Sequence, residues 1–175
     1  YYKTKVDSLT VHSALLYTPT ASKIILAAKE SGLKGADDLL IDAIIHVLDK
    51  SIPDTTLFRL VPIPSSKASQ RRRGRSFVVD LVSQISQRTG IPMIDCLQLS
   101  RRVLDQSGLH RDERASNLAG AFTLISPARG ELILIDDVVT TGATLREAAR
   151  ALNSQGFQAI GSVTAITACV AQRLR

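Results

Sequence analysis

The stretch from residue 131 to 144, ELILIDDVVTTGAT, constrains the fold of this 175-residue chain more than any other segment. An apolar run from Leu132 to Ile135 predicts a buried strand, and it leads directly into two adjacent acids, Asp136 and Asp137. A polar turn, TTGAT, then opens a run with helical spacing. A strand, a short turn and a helix in this order form the βα unit of an α/β fold, in which ligands bind beyond the carboxyl ends of the strands.

The turn has the chemistry of an anion site. The first backbone N–H groups of a helix lack partners, and the helix dipole adds about half a positive charge at that end. Because a phosphate there meets aligned donors, we assign phosphate binding to Thr140, Thr141, Gly142, Ala143 and Thr144. The glycine lacks a Cβ and tolerates positive φ, so it would let the backbone approach the phosphate.

The two carboxylates would repel a phosphate and must therefore serve another part of the ligand. The vicinal hydroxyls of a sugar can donate to them, and a hard cation such as Mg²⁺ can bridge. We predict that Asp136 and Asp137 bind ribose hydroxyls and, together with the ligand, Mg²⁺. The turn and the acids together suit a ribose that carries a 5′-phosphate.

This segment resembles the phosphoribosyl-pyrophosphate (PRPP) motif of type I phosphoribosyltransferases. The resemblance implies an α/β, type I phosphoribosyltransferase-like fold: a mainly parallel, twisted sheet flanked by helices, with a small N-terminal hood. The alternative is a βα turn of another doubly wound fold, in which the acid pair arises by chance. A nicotinamide-binding Rossmann turn is disfavoured because no G-x-G-x-x-G follows any predicted strand.

Length and a hydrophobic content of 45% favour one domain over residues 1–175, with the hood and N-terminal helices in 1–50 and the PRPP-binding core in 51–175. No apolar run is long enough to cross a membrane and no secretory signal is visible, so we expect a cytoplasmic protein without a membrane partner. Cys96 and Cys169 lack metal-ligand spacing and are expected to be buried, reduced thiols. The net charge of +6 favours anionic ligands, whether pyrophosphate, nucleotides or nucleic acid.

Apolar periodicity predicts strands that alternate with helices. This alternation implies a mainly parallel sheet with right-handed crossovers, whose carboxyl edge would bring together the loops 62–75, 100–119 and 136–144. The predicted elements are an edge strand or hairpin over 5–17, helices over 20–31, 36–49, 76–88 and 142–155, and strands over 57–63, 93–99, 120–125, 131–138 and 158–170.

The segment 65–75, after the first core strand, is predicted to be a polar, basic loop. In a PRPP site such a loop would face the pyrophosphate, whose charge requires cations and backbone donors. The alternative is a solvated basic run. The candidates for pyrophosphate binding are Ser65, Ser66, Lys67, Arg73 and Arg75.

Residues 101–117 carry many charges and no clear apolar period. Ser107 and Gly108 suggest a flexible tip, which could close over bound pyrophosphate and exclude water from the reacting carbon C1. An ordinary charged connection is the alternative. The candidates in this flexible loop are Arg101, Gln106 and Arg114.

The order of these motifs resembles the ComF family, the competence-protein-F-like phosphoribosyltransferases. Two departures stand out: the N-terminal cysteine-rich zinc element of many members is missing, through truncation or lineage, and Ser76-Phe77-Val78-Val79 replaces the usual aromatic-asparagine-glutamine after the arginine-glycine element. The matching positions are Tyr17, Lys29 and Gly32; Pro62-Ile63-Pro64 with Arg73-Gly74-Arg75; Arg101, Gln106, Leu109, Arg114, Asn117 and Gly120-Ala121-Phe122; and Asp136 through Thr144.

The resemblance implies a protein that binds PRPP with Mg²⁺ and transfers the phosphoribosyl group to a nitrogen nucleophile, with pyrophosphate displaced at C1. The sequence identifies neither that nucleophile nor a catalytic residue. In purine-salvage relatives an acid often stands where Thr140 stands here, which disfavours an ordinary oxopurine acceptor. The alternative is a non-catalytic PRPP- or nucleotide-sensing module, or a partner in DNA uptake. Three kinds of partner stay open: single-stranded DNA, a protein of the competence machinery and a second copy of the chain.

Overall fold

The computed structural model describes residues 1–52, 54, 57–99, 118–128, 130–154 and 160–171, with 160–166 described by their backbone alone. The flexible-loop candidates Arg101, Gln106 and Arg114 lie outside these residues, as does most of the predicted loop 100–119.

The main sheet has five strands in the order β1-β2-β7-β6-β3, and a second sheet pairs β4 with β5. β1 and β2 form an antiparallel hairpin at one edge, as predicted, whereas β2–β7, β7–β6 and β6–β3 are parallel pairs. This mainly parallel sheet, flanked by helices, confirms the predicted α/β class. The strands are β1 (Tyr2–Val6), β2 (Leu9–Leu16), β3 (Phe58–Pro62), β4 (Leu97–Leu99), β5 (Phe122–Leu124), β6 (Gly130–Val139) and β7 (Ile160–Val170).

Four helices of the described residues follow the predicted apolar runs closely, and a fifth, over Lys67–Arg73, was not predicted. The first begins where the Thr18 hydroxyl accepts a hydrogen bond from the Ala21 N–H at 3.2 Å, and it ends at Gly32. No helix in the described ranges is long and apolar enough to cross a membrane. The helices are α1 (Pro19–Ser31), α2 (Lys34–Ser51), α3 (Lys67–Arg73), α4 (Phe77–Thr89) and α5 (Ala143–Asn153).

The central strand β6 divides the core into two layers, because successive side chains of a strand point to opposite faces. Ile133 and Ile135 pack into the cluster formed with α1, α2 and α4. Leu132 and Leu134 pack into the cluster that contains α5 and the small β4–β5 sheet. A fully buried strand of this kind explains why the run before the acids is apolar at every position.

The predicted loop over 65–75 is wrong for residues 67–73, which form α3. The Ser66 hydroxyl accepts a hydrogen bond from the Ser69 N–H at 3.1 Å and caps this short helix, which ends at Gly74. The helix buries no residue, so it has no apolar period that could have distinguished it from a loop.

The strands predicted over 93–99 and 120–125 are real but shorter, and β4 and β5 do not join the main sheet, although Met93 forms an isolated parallel bridge with Leu60 of β3. β4 and β5 pair with each other in antiparallel register, with Leu97 opposite Leu124. Their buried residues Leu97 and Phe122 pack into the same cluster as α5. Such short strands carry no local signal for which sheet they join, because pairing depends on distant partners.

The carboxyl ends of β3 and β6 lie at the same edge of the sheet because these neighbouring strands are parallel. The chain stays attached to the sheet just past β3, where the Ile63 N–H donates to the Ile135 carbonyl at 3.0 Å. The segments that follow the two strands therefore begin side by side, as expected for a ligand site in a parallel sheet.

Candidate functional site

A cavity of about 470 Å³ opens at this carboxyl edge. Its walls come from α1, from the segment after β3, from the end of β6 and from the first turn of α5. Two of the three loops predicted to converge, 62–75 and 136–144, thus contribute to one cavity. The third, 100–119, lies mostly outside the described residues, although Leu118 near its end and Leu99 just before it line the same space.

The acid pair lies on the cavity wall. Asp136 and Asp137 are both buried, and the Asp137 N–H donates to Asp136 Oδ1 at 2.8 Å. Burial, together with repulsion from Asp137, raises the pKa of Asp136 well above its ordinary value, and the nearby ammonium of Lys29 opposes this shift only in part. Two adjacent buried carboxyls therefore form a site that gains from positive charge or hydroxyl donors.

Lys29 contributes a functional group that the residue-level analysis did not assign to the site. Its Nζ donates to Asp137 Oδ2 at 2.6 Å, from the last turn of α1. The two residues are 108 positions apart in the sequence, so no local pattern joins them. The signal that pointed to Lys29 was its place in the ComF-like opening pattern, which assigned it no role.

The turn before α5 brings Thr140 and Thr144 to the cavity. The Thr141 hydroxyl instead accepts a hydrogen bond from the Ala143 N–H at 3.3 Å, so it stabilises the turn itself. Ala143 is buried. The structure therefore divides the predicted phosphate residues into two that line the cavity and others that shape the turn.

Gly142 has the predicted positive φ, and the structure adds a packing requirement for glycine that the sequence does not reveal. Its φ is +75°, a conformation that favours glycine, and a Cβ at this position would lie 2.5 Å from a methyl carbon of Val6. The close approach is thus to a buried side chain of β1. The glycine lets the turn pack against the hairpin, which is a requirement of the fold even without a ligand.

The predicted pyrophosphate residues separate into two groups. Ser65, Ser66 and Arg73 line the cavity, and Ser69 of α3 joins them although the sequence analysis had not singled it out. Lys67 and Arg75 are not among the lining residues.

The two arginines of this segment have different environments. Arg73 pairs with Glu30 at 2.9 Å, and its side chain is only 9% exposed. Arg75 instead donates to both oxygens of the buried Asp37, at 2.6 and 2.8 Å, and these hydrogen bonds raise the pKa of Arg75. Arg75, which lies between α3 and α4, therefore attaches this segment to α1 and α2, whereas Arg73 lines the cavity.

One wall of the cavity is apolar. Tyr17, Ile25 and Leu26 form it together with Val138. Tyr17 and Leu26 are among the exposed large hydrophobic residues, so this wall has apolar surface to offer a ligand. The cavity thus has one polar, charged side and one apolar side.

An ion pair on α5 holds another part of the cavity wall, at Phe122. Glu147 is buried and accepts from the Phe122 N–H at 3.3 Å, while Arg150 donates to the Phe122 carbonyl at 3.2 Å. Phe122 lines the cavity. The helix whose first turn lies at the cavity therefore also holds the strand β5 in place, a role that no sequence pattern had indicated.

The described residues contain no group of three or more His, Cys, Asp and Glu side chains arranged to hold a metal ion. Two carboxylates are too few for a closed metal site, but they suit a hard cation whose other ligands are hydroxyl and phosphate oxygens. The buried acid pair, already paired with one ammonium group, fits such a cation. Asp136 and Asp137 would hold Mg²⁺ in this arrangement.

A family model described as the phosphoribosyl transferase domain matches residues 71–173. The chain belongs to this family. The match includes the acid pair, the turn and α5. It confirms the predicted resemblance of this motif to phosphoribosyltransferases.

The chain is also similar to Competence protein F of Haemophilus influenzae, with 32% identity over 107 residues, which cover 58% of this chain and 46% of that protein. It thus spans about half the length of this curated relative. The similarity confirms the predicted resemblance to the ComF family.

Among solved structures, the fold is similar to an orotate phosphoribosyltransferase from Aeropyrum pernix, with 13% identity, a TM-score of 0.46 and coverage of 77% of this chain and 60% of that one. It is also similar to a hypoxanthine phosphoribosyltransferase from Staphylococcus aureus, with 12% identity, a TM-score of 0.42 and coverage of 79% and 65%.

Proposed function

We propose that this chain binds PRPP with Mg²⁺ and transfers its phosphoribosyl group to a nitrogen nucleophile. The observation that carries the proposal is that the buried acid pair of β6 and the hydroxyl-bearing turn before α5 line one cavity at the carboxyl edge of the sheet. A carboxylate pair can bind the hydroxyls of a phosphorylated sugar, and a helix N-terminus can bind its phosphate.

The 5′-phosphate would bind at the turn, where the hydroxyls of Thr140 and Thr144 and the backbone N–H groups at the start of α5 supply donors. The ribose hydroxyls would donate to Asp136 and Asp137. The pyrophosphate would then extend towards Ser65, Ser66 and Arg73, which line the polar side of the cavity. Arg73 suits this role because a guanidinium can hold two phosphate oxygens at once.

In the transfer, the bond between C1 and the pyrophosphate oxygen breaks, and its electron pair leaves with pyrophosphate. The acceptor nitrogen forms the new bond to C1 and releases its proton to water or to the departing pyrophosphate. When bound, Mg²⁺ supplies neutralisation of the pyrophosphate charge. The residues named above hold the sugar and the leaving group in place, so positioning and electrostatic stabilisation carry the catalysis.

The first test is thermal unfolding with PRPP and Mg²⁺. At a ligand concentration one hundred times Kd, binding to the native state adds about 2.7 kcal/mol, or about 5–10 °C in melting temperature for a chain of this size. The double variant Asp136→Asn with Asp137→Asn is expected to lose this shift. Asp42→Asn is the matched control, since Asp42 is an exposed acid that pairs with Arg88 and does not line the cavity. A double variant that binds PRPP as tightly as the unmodified chain contradicts the site assignment.

The second test concerns the acceptor. Pyrophosphate release from PRPP should be measured with a panel of bases and amines, because the apolar wall of Tyr17, Leu26 and Val138 lies beside the acid pair. Release that depends on one acceptor and disappears in the double variant supports transfer. PRPP binding without release by any acceptor supports a PRPP-sensing module instead.

A second candidate is a role as a partner in DNA uptake. The similarity to Competence protein F and the net charge of +6 favour it. Binding of single-stranded DNA, with the salt dependence discussed below, is the measurement that separates this role from phosphoribosyl transfer.

A further inference from the structure

Lys29 forms an ion pair with Asp137, with 2.6 Å between Nζ and Oδ2. The Lys29 side chain is 26% exposed and that of Asp137 is 7% exposed, so the contact lies at the boundary between the cavity and the core. The ammonium group supplies positive charge to an acid pair that is otherwise costly to bury. The ammonium group therefore lies at Asp137 Oδ2, where a bound cation would also lie.

The position of Lys29 is set by contacts on α1 and α4. Arg75 donates to the Ala28 carbonyl at 2.6 Å, and this carbonyl belongs to the peptide bond that leads into Lys29. The ring of Phe77 lies 4.9 Å from the Arg75 guanidinium carbon and 5.9 Å from Lys29 Nζ. Since Arg75 is itself paired with the buried Asp37, the lysine is directed at Asp137 by a fixed neighbourhood.

We propose that Lys29 is the resident counter-ion of the acid pair and competes with the divalent cation for Asp137. An ammonium group and a divalent cation repel each other and seek the same carboxylate oxygen, so they cannot both bind Asp137 without a large loss of affinity. The free protein is then a weak site for the cation alone. Arrival of PRPP changes this balance because its pyrophosphate oxygens can bind the cation and also accept Lys29 as it leaves Asp137.

This inference rests on the proposed function for its PRPP step, but its central claim, the exchange of Lys29 for a cation, needs no PRPP. Mn²⁺ is the probe because carboxylate sites that suit Mg²⁺ also suit Mn²⁺, and free Mn²⁺ can be measured directly by electron paramagnetic resonance. The unmodified chain is compared with Lys29→Gln, which retains a donor for Asp137 but lacks the charge. Lys29→Met serves as a second neutral variant, and Lys29→Arg retains the charge.

The two neutral variants are expected to bind Mn²⁺ about tenfold more tightly than the unmodified chain without PRPP, whereas Lys29→Arg should remain weak. Lys23→Met is the matched control, because Lys23 is an exposed lysine of the same helix. Adding Asp137→Asn to Lys29→Gln should remove the gain. Equal Mn²⁺ affinities in the unmodified chain and in a folded Lys29→Gln variant overturn the proposal.

A measurement on the unmodified protein makes the test independent of whether a variant folds. Acetylation by acetic anhydride, followed by peptide mass spectrometry, should label Lys29 faster in saturating Mn²⁺, because the cation releases the ammonium group from Asp137. Labelling of Lys23 should not change. A Lys29 rate that is the same with and without Mn²⁺ overturns the exchange.

The outcomes also separate this inference from the proposed function. Tight Mn²⁺ binding by Lys29→Gln in a protein that does not bind PRPP would support the exchange and contradict the phosphoribosyl function. PRPP binding that depends on both acids, combined with unchanged Mn²⁺ affinity in Lys29→Gln, would support the function and overturn the exchange.

Discussion

At the scale of single residues, Gly142 shows how a motif position can be required by the fold. Substitution by alanine places a Cβ 2.5 Å from Val6 and forces a side chain into a φ of +75°. The left-handed backbone alone costs about 1–2 kcal/mol, and the contact adds to this. We expect Gly142→Ala to lower the free energy of unfolding without any ligand present, as measured by urea denaturation.

Val6→Ala removes the two methyl carbons that the new Cβ would meet at 2.5 and 2.6 Å, and leaves only the Cβ of residue 6, at 3.1 Å. The double variant Gly142→Ala with Val6→Ala should therefore be more stable than the sum of the single effects predicts, with a coupling energy of about 0.5–3 kcal/mol. Strict additivity would show that Val6 is not what excludes a side chain at 142. Loss of PRPP binding in Gly142→Ala consequently has two explanations, and Thr144→Val, which changes a cavity-lining hydroxyl, is the cleaner probe of the phosphate site.

Asp136 gives the fold a pH dependence. Burial, with repulsion from Asp137, raises the pKa of this carboxyl in the folded state, so between its ordinary and its folded pKa the native chain binds more protons than the unfolded chain. The contribution of Asp136 to stability is therefore present at low pH and is lost as the pH rises through the folded pKa.

Asp136→Asn removes this titration. The variant without ligand is expected to gain melting temperature relative to the unmodified chain, by about 2–4 °C for each kcal/mol, and the gain should grow from pH 5 to pH 8. Asp42→Asn, which changes an exposed acid outside the cavity, is the control variant. A constant difference between Asp136→Asn and the unmodified chain across this range would contradict the assignment.

At the scale of secondary-structure elements, two arginines form ion pairs with acids of α2, Arg75 from the segment before α4 and Arg88 from the last turn of α4. Arg75 binds the buried Asp37 through two hydrogen bonds, whereas Arg88 pairs with Asp38 and Asp42 at the exposed surface. Removing a partner of a buried charged group costs its desolvation energy as well as its hydrogen bonds.

Arg75→Ala is therefore expected to lower the free energy of unfolding by about 1.5–3 kcal/mol. Arg88→Ala should cost about 0.2–1 kcal/mol, because surface pairs are weakened by water and salt. Urea denaturation of both variants at low and high salt checks this, and only the Arg88 effect should fade as salt increases. Equal losses in the two variants would argue against a special role for the Arg75–Asp37 pair.

At the scale of the whole molecule, the basic charge divides between the surface and the cavity. Arg71 is exposed, whereas the Arg73 side chain is mostly buried on the cavity wall beside Glu30. The arginine cluster that the sequence presents as one feature therefore contains residues suited to different ligands.

Arg73→Ala is expected to weaken PRPP binding by about tenfold or more, since a hydrogen bond to a charged group contributes about 1.5–3 kcal/mol. Arg71→Glu should leave PRPP affinity nearly unchanged. If the chain binds single-stranded DNA, Arg71→Glu should lower that affinity for all sequences alike and reduce the steepness of its salt dependence. Thermal shift for PRPP and fluorescence anisotropy for DNA measure the two effects, and PRPP binding that survives Arg73→Ala at full strength contradicts the pyrophosphate assignment.

Most of the fold could be predicted from local patterns. The apolar run of β6, the acids and the turn that follow it, and the helices that stop at Gly32 and Gly90 are all encoded within short windows. Apolar periodicity and helix-stop glycines act between near neighbours in the chain, so the α/β class and the family motif could be inferred without coordinates.

The remaining features depend on contacts between distant parts of the chain. Lys29 meets Asp137 across 108 residues and Arg75 meets Asp37 across 38 residues. The pairing of β4 with β5, and the contact between Gly142 and Val6, are likewise set by how the elements pack together. A charge, a short strand or a glycine looks the same in the sequence whichever partner it meets, because burial and distance, which determine its energy, exist only after the chain has folded.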